Sequence, residues 1–221
     1  MPGNWPQLLV DAALSMGVAL GEKELDLFNR YYREIMSWNE KINLLSRSSA
    51  EDTLLKNFID SLTAVQYLPQ RESRVLDMGS GGGFPGIPLK IACTLLQVSL
   101  LESSRKKTSF LKHLIRMLQL TEITVIHERA ENLLNQGGCR NSFDTVISKA
   151  AFKLPQFLTL GASFLRPGGV LMAMKSADIA DELAEAQPAA DNAGMLLTAS
   201  HALTLPVTGD RRQILIYTKA Q

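Results

Sequence analysis

Cysteine and histidine are scarce in this 221-residue chain, with two of the former and three of the latter. Cys93 and Cys139 lie far apart with no Cys-x-x-Cys spacing, and His113, His127 and His201 stand singly. Neither a disulfide framework nor a metal site is expected, and a reducing, cytoplasmic setting is the default. Long apolar runs are missing as well: no stretch approaches the roughly 18 uncharged apolar residues that span a bilayer. The opening Met1-Pro2-Gly3-Asn4-Trp5 has no basic segment followed by an apolar one, so neither secretion nor membrane insertion is expected. Charge of one sign is lacking too, since 23 Lys and Arg face 22 Asp and Glu. A polyanionic partner must therefore be held by a local patch rather than by the field of the whole molecule.

What is present, 46% hydrophobic and 20% charged residues, is the composition of an ordinary folded protein. The length suits one domain with an extension. Residues 1–68 read as helices. The first covers 6–20 and breaks at Gly21. A second carries Leu25, Phe28, Tyr32, Ile35 and Met36 at three- and four-residue spacing and ends near Trp38-Asn39. A third, after the polar Ser46-Arg47-Ser48-Ser49, carries Leu54, Phe58, Leu62 and Val65. Beyond Pro69, short apolar runs alternate with helical patterns, which predicts consecutive β-α units and a mostly parallel sheet over 69–221. Strands are expected at 74–78, 97–101, 123–126, 144–148 and 170–174, and helices at 87–94, 105–118, 154–165 and 178–190. Two last strands, 196–203 and 213–218, have no helix between them and are expected to pair antiparallel.

The segment Asp77-Met78-Gly79-Ser80-Gly81-Gly82-Gly83-Phe84-Pro85-Gly86 carries the chemistry. A buried strand running into a glycine-dense turn and then a helix brings bare backbone close to a ligand at the carboxyl end of a sheet. Two frames compete: Gly81-x-Gly83-x-x-Gly86 fits the dinucleotide fingerprint, whereas Gly79-x-Gly81-x-Gly83 follows the strand directly. The next strand ends at Glu102, 23 residues after Gly79, where an acid accepts hydrogen bonds from ribose hydroxyls. Nicotinamide and adenosyl cofactors would both use it. Asp77, placed to bind loop amides, and a turn Leu165-Arg166-Pro167-Gly168-Gly169 before the fifth strand favour the adenosyl reading. Arg105, Lys112 and Arg116 form a basic helix face, and with Lys106, Lys107, Arg47, Lys149, Arg211 and Arg212 they form a candidate surface for RNA phosphates.

The chain resembles the RsmG (GidB) methyltransferases, which modify guanine N7 in 16S ribosomal RNA. The likeness runs through Trp38-Asn39-Glu40-Lys41-Ile42-Asn43-Leu44, Phe58-Ile59-Asp60-Ser61-Leu62, the glycine loop, Leu100-Leu101-Glu102-Ser103 followed by Lys106-Lys107-x-x-Phe110-Leu111, Arg129-Ala130-Glu131, Phe143-Asp144-x-Val146-Ile147-Ser148-Lys149-Ala150 and Gly209-Asp210-Arg211. It implies a Rossmann-like α/β fold of the class I S-adenosylmethionine-dependent kind. Such a fold has a mostly parallel seven-stranded sheet, an antiparallel last strand and an N-terminal helical extension over 1–68. By resemblance, Gly79 and Phe84 contact the cofactor, Ala130 and Glu131 lie at its adenine, and Lys149 contacts cofactor or substrate. These join Asp77, Gly81, Gly83 and Glu102 as the cofactor set. Arg47, Lys149, Arg211 and Arg212 are the candidates for RNA, with 16S ribosomal RNA or the small subunit as partner, a monomeric protein and no metal. Two positions depart from the family's pattern: Lys149 stands where Arg is usual, and Asn57 where His is usual. Lysine is a point charge and cannot reproduce a planar bidentate fork.

Guanine N7 has a free lone pair at neutral pH, so no general base is expected, and alignment of the two reactants carries the rate. Asp60 is a candidate to favour the cationic product. Three other readings stay open on the residues alone. They are a methyltransferase of this fold acting on a protein or small molecule, a nicotinamide-dependent oxidoreductase, and a non-catalytic RNA-binding assembly protein.

Overall fold

The structure is a computed structural model that describes residues 4–45, 50–69, 72–137 and 139–221. Helices α1 (Trp5–Ser15), α2 (Glu22–Asn39) and α3 (Ala50–Leu62) come first, followed by a 3-10 turn at Thr63–Tyr67. The alternation begins at β1 (Arg74–Met78) and continues through α4 (Gly86–Ala92), β2 (Gln97–Glu102), α5 (Arg105–Leu118), β3 (Ile123–His127) and α6 (Ala130–Asn135). It then runs through β4 (Phe143–Lys149), α7 (Leu154–Phe164), β5 (Leu165–Ser176), α8 (Ala180–Asn192), β6 (Met195–Thr204) and β7 (Arg211–Lys219). The seven strands form one sheet in the order β3-β2-β1-β4-β5-β7-β6. The pairs among β1 to β5 are parallel, and β7 lies antiparallel to both β5 and β6.

Alternation along β1 sorts the core into two layers. Val75 points into a cluster with α1 to α5, and Leu76 and Met78 point into a second cluster with α6 to α8. The first cluster includes Leu9, Phe28, Tyr31, Ile35, Leu54 and Phe58 together with Val98, Leu100 and Ile147 of the sheet. The N-terminal helices therefore cover one face of the sheet. Phe58 is fully buried and packs its ring on Phe28 at 5.0 Å, Tyr31 at 5.2 Å and Phe84 at 5.9 Å, joining α2 and α3 to the glycine loop.

Three expectations need correction. The first helix stops at Ser15, short of residue 20, because Gly17 at φ +74° closes a Schellman motif. In it Val18 N–H bonds the Ala13 carbonyl at 2.8 Å and Gly17 N–H bonds that of Leu14 at 2.9 Å. The segment Leu165-Arg166-Pro167-Gly168-Gly169 is not a turn ahead of the strand but the irregular start of β5. Phe143 lies opposite Leu165 and Thr145 opposite Val170, so the extra residues bulge out. Helix α6 is missing from the expected helices, since six residues are too few to show a period, although Glu131 in its first turn suits a helix start.

Truncating Phe58 removes the ring common to both helices and the loop. Phe58→Ala is expected to lower stability by about 3–5 kcal/mol. Urea unfolding should remain one transition by both fluorescence and circular dichroism; separate transitions would mean that the helices and sheet do not share a core.

Candidate active site

Strand order reverses between β1 and β4, and in open α/β sheets the crevice beyond the carboxyl ends at such a reversal binds ligands. The chain leaving β1 there is the glycine loop. The chain leaving β4 is residues 149–152, where Ala150 takes up φ +55°.

The loop is fixed from below and from both sides. Gly79, Gly81 and Gly83 have φ of +79°, +57° and +99°, whereas Gly86 simply opens α4, so the frame beginning at Gly79 is the one the backbone uses. A Cβ on Gly79 would stand 2.6 Å from that of Ala151, and one on Gly83 2.7 Å from the Tyr31 hydroxyl. Asp77 lies beneath, fully buried, with Oδ2 accepting the Gly86 amide at 2.9 Å. Its Oδ1 has no hydrogen-bond partner among the described residues. Burial pushes the Asp77 carboxyl up to about 7, against the lowering effects of the Gly86 amide and the Lys149 ammonium. From α2, the buried Tyr31 hydroxyl donates to the Gly82 carbonyl at 2.6 Å, and its ring stacks on Phe84 at 5.5 Å. The Phe84-Pro85 peptide is cis.

Glu102 ends β2 with both carboxylate oxygens engaged, one by the Gly81 amide at 2.9 Å and one by the Ser104 amide at 2.8 Å. Each oxygen keeps a lone pair for a hydroxyl donor. Beside it opens a cleft of about 430 Å³ lined by Gly79, Gly81, Glu102, Ala130, Glu131 and Phe152, among others. A second pocket of about 390 Å³ lies across residues 149–152, lined by Asn57, Asp60, Lys149, Ala150, Glu182 and Arg212 with Met174, Lys175 and Ser176. Lys149 stands at its edge, its Nζ donating to Asn57 Oδ1 at 2.7 Å and lying 5.7 Å from the Phe84 ring centre. Burial pulls the Lys149 ammonium below its ordinary value, and Asp60 pushes it back. Asp60 is itself bound by Arg212 Nε at 3.1 Å.

Of the expected cofactor residues, Gly79, Gly81, Glu102, Ala130 and Glu131 line one cleft. Asp77 lies under the loop rather than in the cleft; Phe84 packs into the core, and Gly83 turns the loop against Tyr31. Lys149 and Arg212 meet in the second pocket, which Arg211 does not line, and Arg47 falls outside the described residues. Sequence reasoning missed the loop's contact with Tyr31, and it also missed Lys107, Glu128 and Arg129 as neighbours of the first cleft. For Tyr31 the available signal was a tyrosine on the buried stripe of α2, whose hydroxyl needs a partner there. The two departures from the family's pattern, Lys149 and Asn57, turn out to be hydrogen-bonded to each other.

An O-methyltransferase from Bacillus cereus in complex with SAH matches this structure with a TM-score of 0.62, over 86% of this chain and 90% of that one, at 17% identity. M. jannaschii TYW2 in complex with AdoMet matches with a TM-score of 0.60, over 81% of this chain and 78% of that one, also at 17% identity. The strand order, the glycine loop and these likenesses define the fold of the class I S-adenosylmethionine-dependent methyltransferases. The chain is 45% identical over 220 residues to the ribosomal RNA small subunit methyltransferase G of Syntrophus aciditrophicus, covering 99% of this chain and 91% of that protein. It is 38% identical over 205 residues to the protein of that name from Carboxydothermus hydrogenoformans, covering 93% and 87%. Residues 24–213 match the GidB family, rRNA small subunit methyltransferase G, and the chain belongs to that family. It is a methyltransferase whose methyl donor is S-adenosylmethionine.

The first cleft fits that donor. A Cβ on Gly81 would meet nothing nearer than a backbone oxygen at 4.0 Å, so the loop presents bare backbone, and the Glu102 lone pairs face the same space. Two outcomes follow. Tyr31→Phe leaves the Gly82 carbonyl unpaired in a buried setting, which costs about 1–3 kcal/mol. It should weaken S-adenosylmethionine binding about tenfold by calorimetry while leaving the chain folded. In the folded protein the raised Asp77 pKa retains a proton between pH 4 and 7 that the unfolded chain has lost, so its contribution to stability falls as pH rises through that window and is level above about 7. Asp77→Asn removes that slope. The variant's stability relative to wild type should improve by about 2–4 kcal/mol from pH 4 to 8 in urea titrations, and parallel profiles would refute it.

Proposed function

We propose that the protein transfers the methyl group of S-adenosylmethionine to N7 of one guanine in 16S ribosomal RNA, in the small ribosomal subunit or its precursors. The observation that carries this reading is the pair of clefts flanking residues 149–152, one lined by the glycine loop and Glu102 and the other by Asn57, Asp60, Lys149 and Arg212. Bound S-adenosylmethionine supplies a methyl group on a positively charged sulfur. The chain's own residues do the rest. Glu102 holds ribose hydroxyls, the bare backbone of Gly79 and Gly81 and the side chains of Ala130 and Glu131 shape the donor cleft, and Lys149 lines the acceptor pocket.

The acceptor pocket contains neither His nor Cys, which suits a nucleophile that needs no base. Its two carboxylates are each paired with a cation, Asp60 with Arg212 and Glu182 with Lys175 at 2.6 Å. With Lys149 the lining carries three cations against these two carboxylates, a balance that suits the phosphate of an incoming nucleotide. Because the deep major groove of A-form RNA hides N7, the acceptor is an unpaired or extruded guanine. On this reading residues 1–68 are a helical extension that contributes Asn57 and Asp60 to the acceptor wall, and 69–221 form the methyltransferase domain. The protein acts as a cytoplasmic monomer without a metal. No helix among the described residues is long and apolar enough to cross a membrane, and no cluster of metal-ligating side chains occurs among them.

The test is to incubate the protein with isotopically labelled S-adenosylmethionine and small ribosomal subunits from cells lacking the homologous activity, then to map the label. Label on one guanine N7 is expected, and Lys149→Ala should lower kcat/KM about 100-fold through loss of alignment. Label on ribosomal protein, or transfer only to non-RNA acceptors, would overturn the reading in favour of a different acceptor class.

A further inference from the structure

A further concave surface belongs to neither pocket of the proposed reaction. It is a cleft of about 620 Å³ between the end of α2 and the start of α5, lined by Asn39 to Asn43 and by Ser104, Lys106 and Lys107. The turn that forms one wall is held rigidly: Asn39 Oδ1 accepts the amides of Leu44 at 2.9 Å and Leu45 at 2.8 Å. Behind it Trp38 packs on Phe110 at 5.6 Å and on His113 at 5.4 Å, and Glu34 bonds His113 at 2.6 Å, so α2 and α5 are fixed relative to each other. Lys107 lines this cleft and the donor cleft alike, so one side chain borders both.

Three lysines, Lys41, Lys106 and Lys107, border the cleft against a single carboxylate, Glu40. None of the three ammonium groups lies within 4 Å of a carboxylate among the described residues. Lys41 has a local rationale, since the C-terminal end of α2 favours a cation. Lys106 and Lys107 have the opposite: with Arg105 they fill the first turn of a 14-residue helix that has no acid there. The positive end of the helix dipole disfavours cations at that place, whereas α2 and α8 carry acids in their first turns. A local rule broken by three successive residues, beside an open cleft and next to the reaction site, marks a place where an anion completes the electrostatics.

We propose that this cleft is a second RNA-binding subsite, in which Lys41, Lys106 and Lys107 take phosphates of the strand flanking the target guanine. This rests on the RNA reading above. The phosphodiester backbone of RNA is the partner chosen because three cations outnumber the one carboxylate on the same concave surface. Asn43 and Ser104 add uncharged hydrogen-bonding groups at the same wall.

The experiment uses fluorescently labelled small ribosomal subunits lacking the modification, and measures their binding by wild type, Lys41→Gln/Lys106→Gln and Lys23→Gln/Arg140→Gln across potassium chloride concentrations. Lys23 at the start of α2 and Arg140 ahead of β4 are exposed and line neither the cleft nor the candidate RNA surface, so the last variant removes the same charge elsewhere. For the cleft variant the slope of log Kd against log salt should drop by about 2, and Kd at 100 mM salt should rise at least tenfold. Its affinity for S-adenosylmethionine alone should stay within twofold, and Lys41→Arg/Lys106→Arg should retain the slope. Equal losses in both charge-removing variants, an unchanged slope in the cleft variant, or no binding by wild type at low salt would each overturn the proposal. Methylation of the same subunits is read separately. Binding with the expected slope but no label on guanine would refute the guanine-N7 reading and leave the cleft standing.

Discussion

The hydrogen bond from the Gly86 amide to the buried Asp77 carboxylate is the constraint on which the site depends. It closes the glycine loop against the strand that launches it, and it is made inside the core, where water does not compete for either partner. A Cβ on Gly86 would come within 2.8 Å of that same oxygen, so the position admits no side chain. With the two ends of the loop joined, its middle is free to turn three times through left-handed backbone, and the remaining contacts act on a loop of settled shape. Tyr31 takes the Gly82 carbonyl on one side, and Glu102 takes the Gly81 amide on the other. The same closure leaves a carboxyl group deep in the protein with an oxygen unmatched, and burial raises its pKa accordingly.

Much of the fold was legible because its signals are local. The strands β1 to β4 fall within a residue or two of the apolar runs that announced them, and α5 spans the expected residues. The glycine loop was legible for the same reason, since left-handed backbone favours glycine wherever it occurs. What escaped notice is either too short or too distant. Helix α6 is shorter than two helical turns, and the bulge opening β5 depends on how Phe143 and Thr145 pair, which nothing in Leu165 to Gly169 announces. Tyr31 meets Gly82 across 51 positions and Lys149 meets Asn57 across 92. Spacing rules operate over a turn of helix or a pleat of strand, and contacts of that separation are products of the completed fold.

The bond between Lys149 and Asn57 bears on the two departures from the family's pattern. Considered singly, each replaces a side chain by a shorter or less capable one. In the structure the lysine's point charge is satisfied by the shorter amide, which reaches it at 2.7 Å. The pair is therefore a single local solution for a cation lining the second pocket, and its ammonium lies over the Phe84 ring.

Helix α3 touches the end of β4 and the start of β7 through neighbouring positions. Lys56 pairs with Asp210 at 2.7 Å in the turn before β7, Asn57 bonds Lys149 at the end of β4, and Asp60 binds Arg212 on β7. The acceptor wall is thus assembled from residues numbered in the fifties, near 150 and above 210, and the donor loop is braced from Tyr31 as well. Contributions to the two clefts thus run from residue 31 to residue 212 in separate segments. For a gene coding for such a protein, inactivating changes would be spread over those segments and not gathered at the glycine loop.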